Sequence, residues 1–150
     1  MTNYHAAGTF IGIWYEERSA IALLNWATSQ GLTDITELDN VHTTLHYSRK
    51  GSRAASRVSG SKIFTVETGE LELLGFNHDI LAVRIESPEL ERLHLVMKEK
   101  YNLEYDFAVY KPHITIKYDF KGNIEDLELP NMQLATTGIR VMANKLKIKS

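Results

Sequence analysis

The sequence predicts an α+β fold of two pseudo-symmetric β-sheet lobes, with helices on the outer sides and a central cleft. Three observations carry that expectation. The order strand, helix, histidine-bearing strand occurs twice in 150 residues. Ile13, in the middle of the first strand, precedes His42 by 29 positions; Val83, in the middle of its counterpart, precedes His113 by 30. The two histidine strands also match by letter: HTTLHY from His42 to Tyr47 and HITIKY from His113 to Tyr118 both fit His-x-Thr-aliphatic-x-Tyr.

Each element has a local reason. Thr9 to Tyr15 is β-branched and aromatic, which suits a strand. From Glu16 to Gln30, Ile21, Leu24 and then Ala27 or Thr28 recur at helical spacing, and Gly31 supplies a stop. Val41 to Tyr47 is the second strand. Ser48 to Ser61 is rich in Ser, Gly, Ala and Arg without an apolar face, so a loop is expected. Lys62 to Thr68 and Glu70 to Phe76 suggest a hairpin turning at Thr68-Gly69. Ile80 to Glu86 is a strand. Ser87-Pro88-Glu89 then opens a helix with a favoured cap, a favoured first residue and a first-turn acid. Leu90, Leu93 and Met97 give this helix its stripe, and Leu103 extends the packing. His113 to Tyr118 is the matching strand, and Leu134 to Ile148 supplies one or two more.

Length and composition fit one domain spanning residues 1–150. Cysteine is absent, which excludes disulfides and cysteine-ligated zinc. No apolar run approaches the roughly 20 residues of a membrane span, and Met1 to Gly8 lacks a signal-peptide layout. A cytosolic protein without membrane contact is expected. The net charge of −2 argues against a duplex-coating protein. Yet Ser48 to Lys62 holds Arg49, Lys50, Arg53, Arg57 and Lys62 with no acid. A local positive patch on an acidic body suits a small anionic ligand.

Strand geometry turns the repeated motif into chemistry. Side chains alternate faces. His42, Thr44 and His46 should share one face, as should His113, Thr115 and Lys117. Thr43, Leu45 and Tyr47, like Ile114, Ile116 and Tyr118, should face the core. Packing the units about a pseudo-twofold axis would gather two imidazoles and two hydroxyls in one volume. Histidine can act as base or acid near neutral pH. Threonine hydroxyls can donate to the non-bridging phosphate oxygens where charge collects. Such a set cleaves a phosphodiester with no metal and no cofactor. His42 and His46 cannot share an ion, since four strand residues span about 13 Å. His5, His78 and His94 show no partner pattern and are assigned to surface or structure. Trp14, Tyr15 and Trp26 are assigned to core or interface.

With these residues in view, the sequence resembles the 2H phosphoesterase superfamily, defined by two His-x-Thr/Ser-aliphatic motifs in a bilobal α+β fold. His42-Thr43-Thr44-Leu45 and His113-Ile114-Thr115-Ile116 match that definition. Gly8-Thr9-Phe10, the run from His42 to Lys50, and Lys111-Pro112-His113-Ile114-Thr115-Ile116 look like phage anti-CBASS cyclic-oligonucleotide phosphodiesterases. The resemblance implies metal-free hydrolysis of 3′–5′ bonds in cyclic di- and trinucleotides, such as cyclic GMP-AMP, with adenine-containing ligands favoured. It implies His42, Thr44, His113 and Thr115 as catalytic residues, and the host cytosol as the place of action for a phage-encoded chain. An aromatic residue of the first strand, commonly Tyr, is associated with base binding, and here Phe10 stands there. A glutamate expected near the last strand is not found around Gly138-Ile139-Arg140-Val141.

Further ligand contacts are expected from Arg49 and Lys50 in the basic loop, from Lys117 two residues beyond Thr115, and from Lys111 before Pro112. Two other functions fit the same residues. One is an RNA-end enzyme acting on 2′,3′-cyclic phosphates or 2′–5′ linkages. The other is a sponge that binds a cyclic nucleotide without cleaving it.

Overall fold

The computed structural model describes residues 9–48, 59–101 and 109–141. The predicted contacts Arg49 and Lys50, the loop residues Arg53 and Arg57, and Leu103 lie outside the described residues. The elements run β1 (Thr9–Tyr15), α1 (Glu17–Ser29), β2 (His42–Ser48), β3 (Gly60–Ser61), β4 (Thr65–Leu74), β5 (Ile80–Glu86), α2 (Pro88–Lys100), β6 (His113–Lys117) and β7 (Gln133–Val141). Ser87 caps α2 as expected, its Oγ accepting the Leu90 N–H at 3.2 Å. Glu89 and Glu91 in the first turn, with Lys98 and Lys100 in the last, oppose the helix dipole favourably. Gly31, at a φ of 84°, follows α1 in the left-handed region that ends helices.

The strands form one antiparallel sheet in the order β2-β1-β7-β4-β5-β6, with β3 added against β7. The two expected lobes are its two halves, joined through β7. Residues 135 and below on β7 pair with β4, and residues 136 and above pair with β1. The strands at the two ends of this order, β2 and β6, nevertheless touch each other. The sheet therefore curls until its ends meet, and the two histidine strands are those ends. Thr43, Leu45, Ile114 and Ile116 are fully buried. Leu45, Ile114 and Ile116 join one apolar cluster that includes Leu23 of α1 and Leu90 of α2. His42, Thr44, His113 and Thr115 lie on the alternate, half-buried face.

Several expectations need correction. The segment read as a hairpin at Thr68-Gly69 is the single strand β4. The register against β5 steps from Thr68↔Ile85 to Leu71↔Val83, so Gly69-Glu70 forms a bulge instead of a turn. The chain reverses later, where Gly75 and His78 take φ of 91° and 54° and the His78 N–H bonds the Gly75 carbonyl. Positive φ is what a tight turn demands, and Gly69 does not have it. The buried face of α1 is also rotated. Ala20, Leu23, Trp26 and Ala27 are buried, while Ile21 is 42% exposed. Trp26 lies on this buried face and its indole N–H donates to the Glu128 carbonyl at 3.0 Å.

Candidate active site

β2 and β6 share a device that alternation alone does not reveal. On β2 the register against β1 steps from Gly12↔Thr44 to Ile11↔His46, leaving Leu45 as an extra residue. On β6 the register against β5 steps from Ala82↔Thr115 to Leu81↔Lys117, leaving Ile116 as an extra residue. A bulge thus follows each threonine at the same place in the repeat. Bulges re-aim the side chains beyond them. Past Leu45 the faces change: His46 becomes fully buried and Tyr47 half-buried. Both expectations for these residues are reversed. Tyr118, expected in the core, is 54% exposed.

The histidines are held alike. His42 Nδ1 lies 2.8 Å from the Asn40 carbonyl, and His113 Nδ1 lies 3.0 Å from the Lys111 carbonyl. In both cases the acceptor is two residues upstream. A neutral ring donates to it from Nδ1, which places the ring's basic lone pair on Nε2. Lys111 therefore serves through its backbone, and its side chain is exposed.

Each strand is also clamped from the other repeat. The Thr44 carbonyl accepts the Tyr110 hydroxyl at 2.8 Å, and the Leu45 carbonyl lies 2.6 Å from His94 Nδ1. Reciprocally, the Thr115 carbonyl accepts the Thr36 hydroxyl at 2.8 Å, and the Ile116 carbonyl accepts the Thr36 N–H at 2.8 Å. These are equivalent carbonyls on two strands at the ends of the sheet, where backbone acceptors lack a ladder partner. His94 also stacks on Tyr110, with centroids 4.1 Å apart and planes 5° apart, and on His46 at 5.9 Å. Tyr110→Phe should leave the Thr44 carbonyl without this donor and cost about 1 kcal/mol. Denaturant unfolding measures that loss; an unchanged midpoint would show that the clamp carries no stability.

The two histidines differ in their surroundings. The His42 ring stacks on Trp14 at 4.7 Å and 16°, and Phe10 approaches it edge-on at 5.6 Å. The Trp14 indole N–H bonds the Asp39 carbonyl at 3.0 Å, and the Arg140 guanidinium lies 4.9 Å from the Trp14 ring centre. Arg140 thus occupies the region where a glutamate was expected. Trp14 was assigned to the core, and it is buried, but its face supports a site residue. Gly12 makes this possible, because a Cβ there would lie 2.8 Å from Trp14 Cζ3 and 3.3 Å from His42 Cδ2. His113 instead pairs in register with Arg84. Arg84 Nη1 is 3.6 Å from Glu72 Oε1. Lys117 turns to the loop after α1, its ammonium donating to the Thr33 carbonyl at 2.7 Å. Among the described residues no acidic, histidine or cysteine cluster could hold a metal ion.

Burial holds the His113 pKa below its ordinary 6.5, with Arg84 acting in the same direction and the Lys111 carbonyl and Glu72 opposing. Burial likewise lowers that of His94, against the Leu45 hydrogen bond. Both are therefore neutral at pH 7. In the unfolded chain each protonates near 6.5, so the unfolded state binds more protons as pH falls. Their stabilising share is full above pH 6.5 and is lost as pH falls through the folded values. Thermal melts should drop in this window, and replacing His94 and His113 together with Gln should flatten the slope. An equal slope in that variant would refute the assignment.

The fold is shared with solved phosphoesterases. A crystal structure of a phosphoesterase matches with a TM-score of 0.63 at 16% identity, covering 92% of this chain and 88% of that one. E. coli LigT complexed with 3′-AMP gives 0.65 at 16% identity, over 91% of this chain and 87% of LigT. LigT complexed with phosphate gives 0.62 at 17% identity, over 91% and 86%. The chain thus has the fold of these phosphoesterases, with a His-x-Thr strand at each end of its sheet. The chain belongs to the Acb1 family: the family profile described as Anti-CBASS protein Acb1 matches residues 7–145. An Anti-CBASS protein Acb1 of Caulobacter sp. (strain RHG1) is 28% identical over 120 residues, 73% of this chain. The chain spans 18% of that relative's length. No helix among the described residues is long and apolar enough to cross a membrane.

Proposed function

We propose that this protein hydrolyses the 3′–5′ phosphodiester bonds of adenine-containing cyclic di- and trinucleotides in the host cytosol, as an evasion of CBASS defence. The observation that carries this reading is the matched pair of histidines, each tied through Nδ1 to a carbonyl two residues back, on strands that meet. In the proposed reaction, neutral His113 takes a proton through Nε2 from the attacking water or ribose 2′-hydroxyl. His42, as an imidazolium, gives its Nε2 proton to the departing oxygen. The stack on Trp14 holds the His42 ring in place for the acid role. A group kept neutral by burial suits the base role. Thr44 and Thr115 donate their hydroxyls to the non-bridging oxygens as charge builds. Phe10 offers a ring edge beside His42 for a nucleobase.

The test is incubation with cyclic GMP-AMP in the presence of EDTA, followed by denaturation and analysis of the nucleotide. Linear product supports hydrolysis. Intact nucleotide released on denaturation makes the protein a sponge. Cleavage of RNA 2′,3′-cyclic ends or 2′–5′ linkages in preference to cyclic GMP-AMP would move the substrate to RNA.

A further inference from the structure

The two halves of the site are alike in geometry and unlike in chemistry. In the first, Trp14 pairs with His42 and Gly12 with Thr44, while Arg140 stands opposite Gly12 on β7. In the second, Arg84 pairs with His113 and Ala82 with Thr115, while Glu72 stands opposite Ala82 on β4. The repeat therefore sets Arg84 where Trp14 stands, and Glu72 where Arg140 stands. One histidine is backed by a ring with a cation behind it. The other is flanked by a cation with an anion behind it.

Arg84 is poorly satisfied as it stands. Its link to Glu72 is long at 3.6 Å, with both side chains partly exposed. Among the described residues its Nε is buried without a hydrogen-bond partner, and so is Glu72 Oε1. A buried donor left unpaired costs free energy, and a guanidinium offers five donors in a planar fork that fits two oxygens at once. Glu72 engages one edge of that fork weakly and keeps the side chain on the His113 face. The complementary ligand is a tetrahedral oxyanion lying against His113.

We propose that Arg84 is a further catalytic residue, gripping the non-bridging oxygens of the scissile phosphate beside His113, and that Glu72 is the positioning residue that aims it. The idea rests on the phosphodiesterase reading above and adds to it the group that holds the phosphate. Among the described residues, neither Lys111 nor Lys117, the two lysines expected to contact the ligand, takes this place. Arg84 does two things there. Its positive charge offsets the negative charge that collects on the phosphate in the transition state. Near His113 it also favours the neutral imidazole that accepts the proton.

The first experiment needs no turnover: inorganic phosphate is titrated into the protein while the His113 ring signals are followed by NMR. In the native protein phosphate should shift them, and in Arg84→Gln the affinity should fall about tenfold. An equal affinity in Arg84→Gln overturns the proposal even if the enzyme reading stands. The second experiment uses cyclic GMP-AMP. Arg84→Gln should lower kcat/KM about a hundredfold, and Arg84→Lys should recover only part, since an ammonium cannot make the fork. The acid limb of the pH profile should move up in Arg84→Gln, because the charge opposing His113 protonation is gone. The double variant Arg84→Gln/Glu72→Gln leaves neither partner charged and alone, so it guards against loss of fold. If that double variant cleaves at the native rate, Arg84 is not catalytic. If native protein binds phosphate through Arg84 but cleaves no cyclic nucleotide, the substrate reading fails and the phosphate site remains.

Discussion

Replacing either His42 or His113 with Asn should lower phosphodiester cleavage by about a thousandfold, with the fold intact. Asparagine is the informative choice. Its side-chain amide can still donate to the Asn40 or Lys111 carbonyl that holds Nδ1, but it cannot shuttle a proton. General acid–base participation contributes about 10²–10⁴-fold per group. The two groups act on one transition state, so the double variant should be scarcely slower than either single one. Rates from single-turnover assays and melting temperatures decide the matter. A double variant with native activity would refute the site. A single variant retaining a tenth of the rate would show that one histidine suffices.

The second large effect is expected at Gly12. The residue sits in β1 opposite Thr44, and any Cβ there meets the Trp14 ring at 2.8 Å. The ring has little room to yield. Asp39 holds its indole N–H, His42 stacks on it and Arg140 lies 4.9 Å from its centre. Gly12→Val should therefore displace Trp14 and tilt His42, lowering kcat about a hundredfold for a misplacement near 1 Å. Overpacking should also cost about 1–3 kcal/mol. The substitution separates two explanations, because Val is otherwise a better strand former than Gly. If the position were ordinary strand, Val would stabilise the protein. A Gly12→Val protein with raised melting temperature and unchanged kcat would remove Trp14 and Gly12 from the account of the site.

The repeat, both helices and the two histidine-bearing strands were legible because each rests on local signals: alternation, a cap at Ser87, a stop at Gly31. What escaped depends on partners far along the chain. The bulges at Leu45 and Ile116 are mismatches between two strands, so His46 and Tyr47 could not be assigned to their faces from β2 alone. Trp14 and Arg84 gain their meaning only from register, which sets each beside a histidine. The bulge at Gly69-Glu70 resembled a turn because glycine serves both. Thr36, His94 and Tyr110 carried no visible pattern, since each acts on a carbonyl, and a carbonyl has no letter in the sequence. A comparison of the residues equivalent to Trp14 in the second repeat would have pointed to Arg84.

The exchange of hydrogen bonds between repeats ties the fates of the two halves together. Thr36 from the first repeat fastens β6, and His94 with Tyr110 from the second fasten β2. Loosening either strand unseats a segment that the other depends on. Local opening then cannot stop at one histidine; the pair is assembled or dismantled as a unit. A half-built site, with one histidine seated and the other displaced, is thereby kept a rare species.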